Sequence, residues 1–420
     1  MTAGEPVFSN RWDELAGRHP DPLPLVSAIV AHFEQPRELE RTLLALSRQD
    51  YPADRIEIVV VDDGSRARPT VPPGVTLVLQ PDEGFRLAAA RNAGVRASTG
   101  SVLVFLDADT SPEPEYVRLV SRLPAVAPDC VTVGRRRHAD LADVDLEERV
   151  EIAGPAHELP EPQWLIDGYA RSLDLLEADD RSYRYVIGAV MACSRALFEE
   201  AGGFDESFTS YGGEDWEWSY RAWRHGAVLA HERRAVAWHD GPDWPGRTGE
   251  DGRRLKNAET IRLSTLVAAP GSGPRGIRLS RPDVAVMTTE LGEGAEFITV
   301  DSALADIPGA AVVGGRYATK DPAAWDEARI RIHFAAGCQV GHGALRDAVD
   351  QVAAEALGHL TLIDEAGGAL VTVTSSRAAA REERWARPLF PARTREEPRL
   401  RRLEADPDVE AYLGGWTRAD

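Results

Sequence analysis

A chain of 420 residues is too long for one ordinary domain and ample for two cores, and its apolar and charged fractions are those of a globular protein. A formal net charge of −20 argues against nucleic acid and anionic membrane as partners, because their phosphates need a basic surface. Cys130, Cys193 and Cys338 are few, odd in number and without zinc spacing, no secretory pattern opens the chain, and no apolar stretch nears the roughly 20 residues of a bilayer span, so a cytoplasmic location is expected.

Residues 1–24 carry Pro, Asp and Gly without periodicity and read as a loosely packed arm. Leu25 to Phe33 is the first strand, ending on Glu34, Gln35 and Pro36. Leu39, Leu43 and Leu46 then line one stripe of an amphipathic helix over 37–49. Ile56 to Val61 is a second strand that ends on Asp62, Asp63, Gly64 and Ser65, and Val75 to Leu79 is a short third. Gly84 to Ala97 is an Ala- and Arg-rich helix. Val102 to Leu106 is apolar enough for a strand buried on both faces of a mainly parallel sheet, and it stops on Asp107 and Asp109. Strands and helices alternating at this spacing predict βαβ units with right-handed crossovers.

Two carboxylates after such a run belong at the strand's carboxyl end, where open α/β sheets bind ligands. They are hard donors, suited to a nucleotide diphosphate held through Mg²⁺ or Mn²⁺. An exposed strand end with helix-capping acids would look the same in isolation. The convergence of other polar ends separates the two readings: His32 with Glu34, Asp62 with Asp63, and Arg86 with Arg91 and Asn92 all fall at one sheet edge. Residues 25–245 contain no GxGxxG or GxxxxGK[ST], which speaks against a dinucleotide or P-loop cradle there.

Further on, GGFDESF at Gly202 to Phe208 precedes YGGEDWEW at Tyr211 to Trp218. Glu214 and Asp215 either reach a cleft together from a helix start entered through Gly212 and Gly213, or merely cap that helix. Trp216 and Trp218 suit core packing and a sugar-stacking wall equally well. His239, between Trp238 and Asp240, is a structural residue or a divalent-metal ligand. His138 and His231 read as surface residues, and Cys193 as a small buried hydrophobe. The irregular stretch from Arg135 to Arg184 is either a surface excursion or an acceptor loop beside the site.

The order VDDGS, FRLAAARNAG, FLDADT and GGED resembles family-2 glycosyltransferases with the GT-A fold, and the acceptor half is similar to the chondroitin-polymerase-like and galactosyltransferase-like members. The resemblance covers roughly residues 25–245. It implies an α/β, Rossmann-like mixed sheet and an inverting, metal-dependent transfer of a sugar from a nucleotide diphosphate, UDP being the expected base and sugar carrier, to a hydroxyl. Carried over by residue, it implies that Asp63 meets the base with His32 and Glu34 lining that pocket. Asp107 would touch the ribose, Arg86, Arg91 and Asn92 would lie by ribose and diphosphate, and Asp109 with His239 would hold Mn²⁺ or Mg²⁺. Asp215, paired with Glu214, would be the base. The acceptor class (glycan, lipid, peptide or natural product) stays open. Two rivals are a catalytically inactive glycan-binding or scaffold protein and a sugar-1-phosphate nucleotidyltransferase; HFEQPRE lacks the Gly-rich basic loop of the latter.

Ala268 to Arg275 is a Gly, Pro and Ser linker, so the expected domains are 25–268 and a smaller α/β unit over 276–420. Apolar runs at Val284 to Met287, Phe297 to Val300, Ala310 to Val313, Ile330 to Phe334 and Leu360 to Ile363 predict its strands. ITVDSA at Ile298 to Ala303 and the stretch ending on Asp364 suggest a degenerate GT-A-like copy, matching VVVDDGS and the DAD strand. Such a unit would serve dimerisation or acceptor binding, with Trp385, Phe390, Tyr412 and Trp416 in a tail that packs back or bridges a partner.

Overall fold

The computed structural model describes residues 4–210, 212–242, 249–274, 277 and 281–414. Trp416 and Tyr211 lie outside them. Contacts divide the chain into two compact units, Met1–Leu263 and Ser264–Asp420.

In the first unit β1 (Val26–His32) is buried along its whole length, as an unbroken apolar run requires in a two-sided sheet. Helix α1 (Pro36–Ser47) starts on a proline, whose missing N–H costs nothing in a first turn, and buries Leu39, Leu43 and Leu46. Then come β2 (Ile56–Asp62), β3 (Thr76–Leu79), α2 (Leu87–Arg96), β4 (Val102–Asp107), β5 (Thr110–Pro112), α3 (Tyr116–Val126) and β6 (Cys130–Ala139). They are followed by α4 (Val150–Ala156), β7 (Glu158–Leu159), α5 (Gln163–Arg171), β8 (Val190–Ser194), α6 (Arg195–Glu200), α7 (Glu214–Arg224), β9 (Val228–Asp240) and α8 (Gly249–Leu266). The sheet order is β3-β2-β1-β4-β8-β6-β9-β5, with β7 on β6. Strands β3, β2, β1 and β4 are parallel, β8 runs against β4 and β6, and β6 lies parallel to β9. This mixed α/β sheet is the expected fold class. It sets the carboxyl ends of β1, β2, β4 and β6 along one edge.

Residues before β1 are not loose. Val7 and Leu15 are buried against Leu123, Ala127, Cys130, Val228 and Ala230. The Asn10 amide donates to the carbonyls of Leu175 and Leu229 at 2.6 and 2.9 Å. Sequence periodicity misses such a segment because it is held by isolated anchors rather than by a repeating face.

Helix α2 sits close on the sheet: a Cβ added at Gly94 would come within 2.4 Å of Ile29 Cγ2 and 3.1 Å of Val61 Cγ2. Gly94→Ala is therefore expected to lower stability by about 1–3 kcal/mol, the usual cost of overpacking, despite the better helix propensity of alanine. Thermal denaturation at fixed pH reads it, and an unchanged midpoint would show that α2 is free to slide.

The second unit contains β10 (Val284–Thr288), α9 (Glu293–Asp306), β11 (Ala311–Val312), α10 (Ala323–Glu327), β12 (Ile330–Phe334), β13 (Cys338–Val340) and α11 (Ala344–Ala354). It continues with β14 (His359–Ile363), β15 (Ala369–Ser375), α12 (Ser376–Trp385), β16 (Ala392–Glu396), β17 (Leu400–Arg402) and α13 (Val409–Tyr412). Its core gathers Val286, Ile332, Phe334, Leu345, Leu360 and Val371 among others. The sheet order β11-β10-β12-β15-β14-β16 has neighbours parallel, parallel, antiparallel, antiparallel, parallel. That is the order and direction of β2-β1-β4-β8-β6-β9 in the first unit.

Residues agree as well as strands. Val102 of β4 pairs with Ser194, whose hydroxyl caps α6 by accepting from Leu197 N–H. Ile330 of β12 pairs with Ser375, whose hydroxyl caps α12 by accepting from Ala378 N–H. After the central strand a short strand runs antiparallel to a late one in both units, Thr110 opposite His239 and Cys338 opposite Arg402.

The matching read from the sequence was misplaced. Phe297 to Val300 is not a strand, and Ile298 to Ala303 lies inside α9, where the Thr299 and Ser302 hydroxyls donate to the carbonyls four residues back. A β-branched run there is helical because α9 is buried on several sides, and packing overrides propensity. The stretch ending on Asp364 is α11–β14, the counterpart of α3–β6; the counterpart of the Asp107 strand is β12.

Candidate functional site

The carboxyl ends of β1 and β2 deliver residues that mostly hold one another. His32 Nδ1 lies 2.8 Å from Asp62 Oδ1, and its Nε2 accepts the Gln35 N–H at 3.3 Å. The ring is buried with both nitrogens engaged, so His32 braces the loop. Glu34, at φ 54°, pairs with Arg66 through both oxygens, at 3.1 and 3.2 Å. Asp63 accepts from Gln80 Nε2 at 2.5 Å and from Arg86 N–H at 2.9 Å. Burial pushes its carboxyl up, against those two hydrogen bonds. Each oxygen keeps a second lone pair for a ligand donor.

Helix α2 carries two of the three residues expected by the ribose and diphosphate, and both have partners within the protein. Asn92 exchanges hydrogen bonds with the backbone of Phe204, at 2.8 and 3.0 Å, and reaches Glu206 at 3.0 Å, tying α2 to the GGFDESF loop. Arg91 is 2% exposed. Its Nη1 donates to Glu214 Oε1 and its Nη2 to Asp107 Oδ1, both at 2.8 Å. Both terminal nitrogens are thereby committed to carboxylates, while Nε has no partner among the described residues. The Arg86 guanidinium pairs with Glu83.

Arg91 joins the two halves of the site. Gly212 and Gly213 take φ of 94° and 96°, left-handed values that only glycine adopts cheaply, and the chain then turns straight into α7. Glu214 is buried, with Oε1 on Arg91 and Oε2 without a partner among the described residues. Asp215 accepts from Gly188 N–H at 2.9 Å and from Trp216 N–H at 2.8 Å. Burial first, then the neighbouring Asp215 charge, push the Glu214 carboxyl up to about 7 against the pull of Arg91. Burial also raises Asp215, against the Gly188 hydrogen bond and Arg91. Two adjacent carboxyls both pushed up by burial favour sharing one proton over carrying two charges.

Asp107 keeps 30% of its side chain exposed beside Arg91. Asp109 follows at the β4–β5 turn, fastened by the Asp240 N–H on its carbonyl at 2.8 Å. The Thr110–His239 register puts the imidazole alongside, with His239 Nε2 3.6 Å from Asp109 Oδ2. A carboxylate oxygen and an imidazole nitrogen at this spacing fit Mn²⁺ or Mg²⁺, completed by ligand phosphate and water. Among the described residues no group of three or more His, Cys, Asp or Glu is placed to hold a metal ion. Gln35 Nε2 donates to Asp109 Oδ2 at 2.9 Å. Gln35 carried no sequence signal, since a lone amide after a strand belongs to no pattern.

The two tryptophans differ in burial. Trp218 is fully buried, whereas Trp216 meets Trp164 of α5 edge-on at 6.0 Å. His138 and His231 are buried, not surface residues. Cys193 is buried as expected. In the second unit, the positions of Asp107, Ala108 and Asp109 hold Ala335, Ala336 and Gly337, and Arg402 stands where His239 does.

Residues 27–146 match the family model described as glycosyl transferase family 2, and residues 172–234 match the N-terminal domain of galactosyltransferase. Chondroitin synthase of Escherichia coli is 28% identical over 261 residues, covering 57% of this chain and 38% of that protein. Validoxylamine A glucosyltransferase of Streptomyces hygroscopicus subsp. jinggangensis is 31% identical over 236 residues, 51% of this chain and 54% of that protein. The chain thus spans between about a third and a half of the length of these relatives. A mannosyltransferase from Pyrobaculum calidifontis, solved with GDP-Man and Mn²⁺, superposes with a TM-score of 0.39 at 20% identity, over 62% of this chain and 68% of that one. The family resemblance drawn from the motifs holds. No helix among the described residues is long and apolar enough to cross a membrane.

Proposed function

Starting from a chain whose residues 27–146 carry the glycosyl transferase family 2 model, we propose that the first unit is an inverting, metal-dependent glycosyltransferase that moves a sugar from a UDP-sugar to an acceptor hydroxyl. The observation that carries this reading is the Arg91 bridge, which sets Asp107 and Glu214 within 2.8 Å of one guanidinium although they lie far apart in sequence. A guanidinium common to acids of the nucleotide side and of the α7 side supports a reading in which both border one cleft. Asp109 and His239 hold the divalent cation, which when bound offsets charge gathering on the departing diphosphate. Asp63 accepts from the base edge, and Asp107 receives a ribose hydroxyl with the oxygen Arg91 leaves free. Asp215, with Glu214 beside it, takes the proton of the attacking hydroxyl on the face opposite the leaving group. The second unit lacks these carboxylates and serves acceptor binding or self-association without catalysis.

Isothermal titration of UDP with Mn²⁺ into the whole chain tests the donor half. Asp109→Ala is expected to abolish the Mn²⁺-dependent part of UDP affinity while leaving the metal-free part in place. Equal Mn²⁺-dependent affinity in both proteins would take the metal away from Asp109. Incubation with a panel of nucleotide sugars then reads turnover as slow release of free nucleotide, and none with any donor would favour the inactive glycan-binding rival.

A further inference from the structure

The turn that carries Asp107 and Asp109 is gripped at three points by the segment from β1 to α1. The Ala108 N–H donates to the Ala31 carbonyl at 2.9 Å, and the Thr42 hydroxyl of α1 donates to the Ala108 carbonyl at 2.7 Å. The third point is a side chain: Gln35 Nε2 donates to Asp109 Oδ2 at 2.9 Å. That oxygen is the one facing His239 Nε2, 3.6 Å away.

Gln35 is itself fixed from both sides. Its N–H donates to His32 Nε2 at 3.3 Å, His32 Nδ1 lies 2.8 Å from Asp62 Oδ1, and the same oxygen accepts from the Ser65 hydroxyl at 2.6 Å. Its carbonyl accepts the Leu39 N–H at 3.0 Å as α1 begins. Pro36 follows at once and keeps the residue before it out of the helical region, with φ −123° and ψ 59° at Gln35. A hydrogen-bonded line therefore runs from the end of β2 through Asp62, His32 and Gln35 to Asp109, with His239 of β9 beyond it.

A carboxylate can turn about its Cβ–Cγ bond, whereas a cation site needs it in one orientation. Asp109 Oδ1 has only a long bond, 3.3 Å from the Thr110 hydroxyl. The bond from Gln35 is shorter and falls on Oδ2, which keeps a second lone pair for a cation. His239 has an equivalent outer partner, because its Nδ1 lies 3.2 Å from the Gly241 carbonyl. A proton held on Nδ1 by that carbonyl leaves Nε2 its lone pair. An amide suits the place opposite Asp109, since it donates without charge; lysine or arginine there would repel the cation.

We infer that Gln35 is a positioning residue of the cation site: through its bond to Oδ2 it holds the Asp109 carboxylate turned to His239, and so sets the affinity for the divalent ion without touching it. The inference rests on the reading that gives Asp109 and His239 to the cation.

Equilibrium dialysis of the whole chain against Mn²⁺, with saturating UDP on both sides of the membrane, tests it by measuring the ion retained with the protein. Gln35→Met keeps the length of the side chain and the backbone N–H on His32, and removes the donor. It is expected to raise the Mn²⁺ dissociation constant by about 10–100-fold, the usual effect of losing the outer partner of a metal ligand. Thr110→Val removes the long bond on the other oxygen and is expected to raise it by less than about threefold, as a weak hydrogen bond allows. Isothermal titration of UDP without metal is expected to give the parent affinity in Gln35→Met, which a displaced loop would not. Unchanged Mn²⁺ affinity in Gln35→Met, an equal loss in Thr110→Val, or a fall in metal-free UDP affinity in Gln35→Met would overturn the role. A parent chain that retains no Mn²⁺ beside UDP would instead overturn the cation assignment on which the role rests.

Discussion

Asp215→Asn is expected to lower turnover by about 10²–10⁴-fold, the usual contribution of a positioned base, while UDP with Mn²⁺ still binds. The substitution keeps the size of the side chain and removes its capacity to take a proton. It also turns an amide NH₂ toward either Gly188 N–H or Trp216 N–H, both of which donate to the carboxylate in the native site. A moderate loss of thermal stability should accompany the kinetic loss, and the melting point must be read beside the rate. The pH profile supplies a control that misfolding cannot mimic. Because burial raises Asp215, the acid limb of turnover should lie above the ordinary range for an aspartate: below it the base is protonated and inactive, above it ionised and active. Glu214 is likewise pushed up, to about 7, chiefly by burial. An Asp215→Asn enzyme with normal turnover would transfer the role of base to another group.

Arg91→Met is expected to be the most destabilising single change in the site. It leaves the buried Glu214 and the half-buried Asp107 without their cation, and removing one member of a buried ion pair costs about 3–5 kcal/mol. For a unit of this size that is a fall in melting temperature of roughly 6–20 °C. Arg91→Lys separates charge from geometry. An ammonium keeps the positive charge but lacks the planar fork that reaches two carboxylates at once. Stability should be partly restored, whereas turnover should stay low, since Asp107 and Glu214 are no longer held to a common distance. Full activity in Arg91→Lys would show that the fork has no positioning role.

The first unit was largely legible from the chain. Val102 to Leu106 has no polar residue to spare for solvent, so it had to be central, and Asp107 and Asp109 had to stand at its open end. GGED had to start a helix, because two consecutive glycines suit left-handed backbone and acids favour a first turn. The partners of those residues were a different matter. Arg91 looked like a phosphate ligand because arginine on a helix near an acidic strand end fits either role. Only the fold brings Glu214 to it. His231 looked like a surface residue because Asp174, which holds it, lies 57 residues earlier and is aimed by a left-handed turn that no glycine announces.

The second unit shows the same division from the other side. Its apolar runs located most of its strands, but ITVDSA was placed in a strand when it forms a helix, since short apolar stretches read alike in both periods. Sequence similarity pointed at Asp364; hydrogen-bond register points at Ala335, Ala336 and Gly337. Hydrophobic patterning, turn residues and the spacing of acids are local properties, and the chain alone determined through them the α/β class, the strand ends and the motif positions of this protein. Which side chains share a proton, a cation or a cavity depends on contacts between segments distant in sequence, whose free energy no local pattern encodes, and the tertiary structure alone decided that.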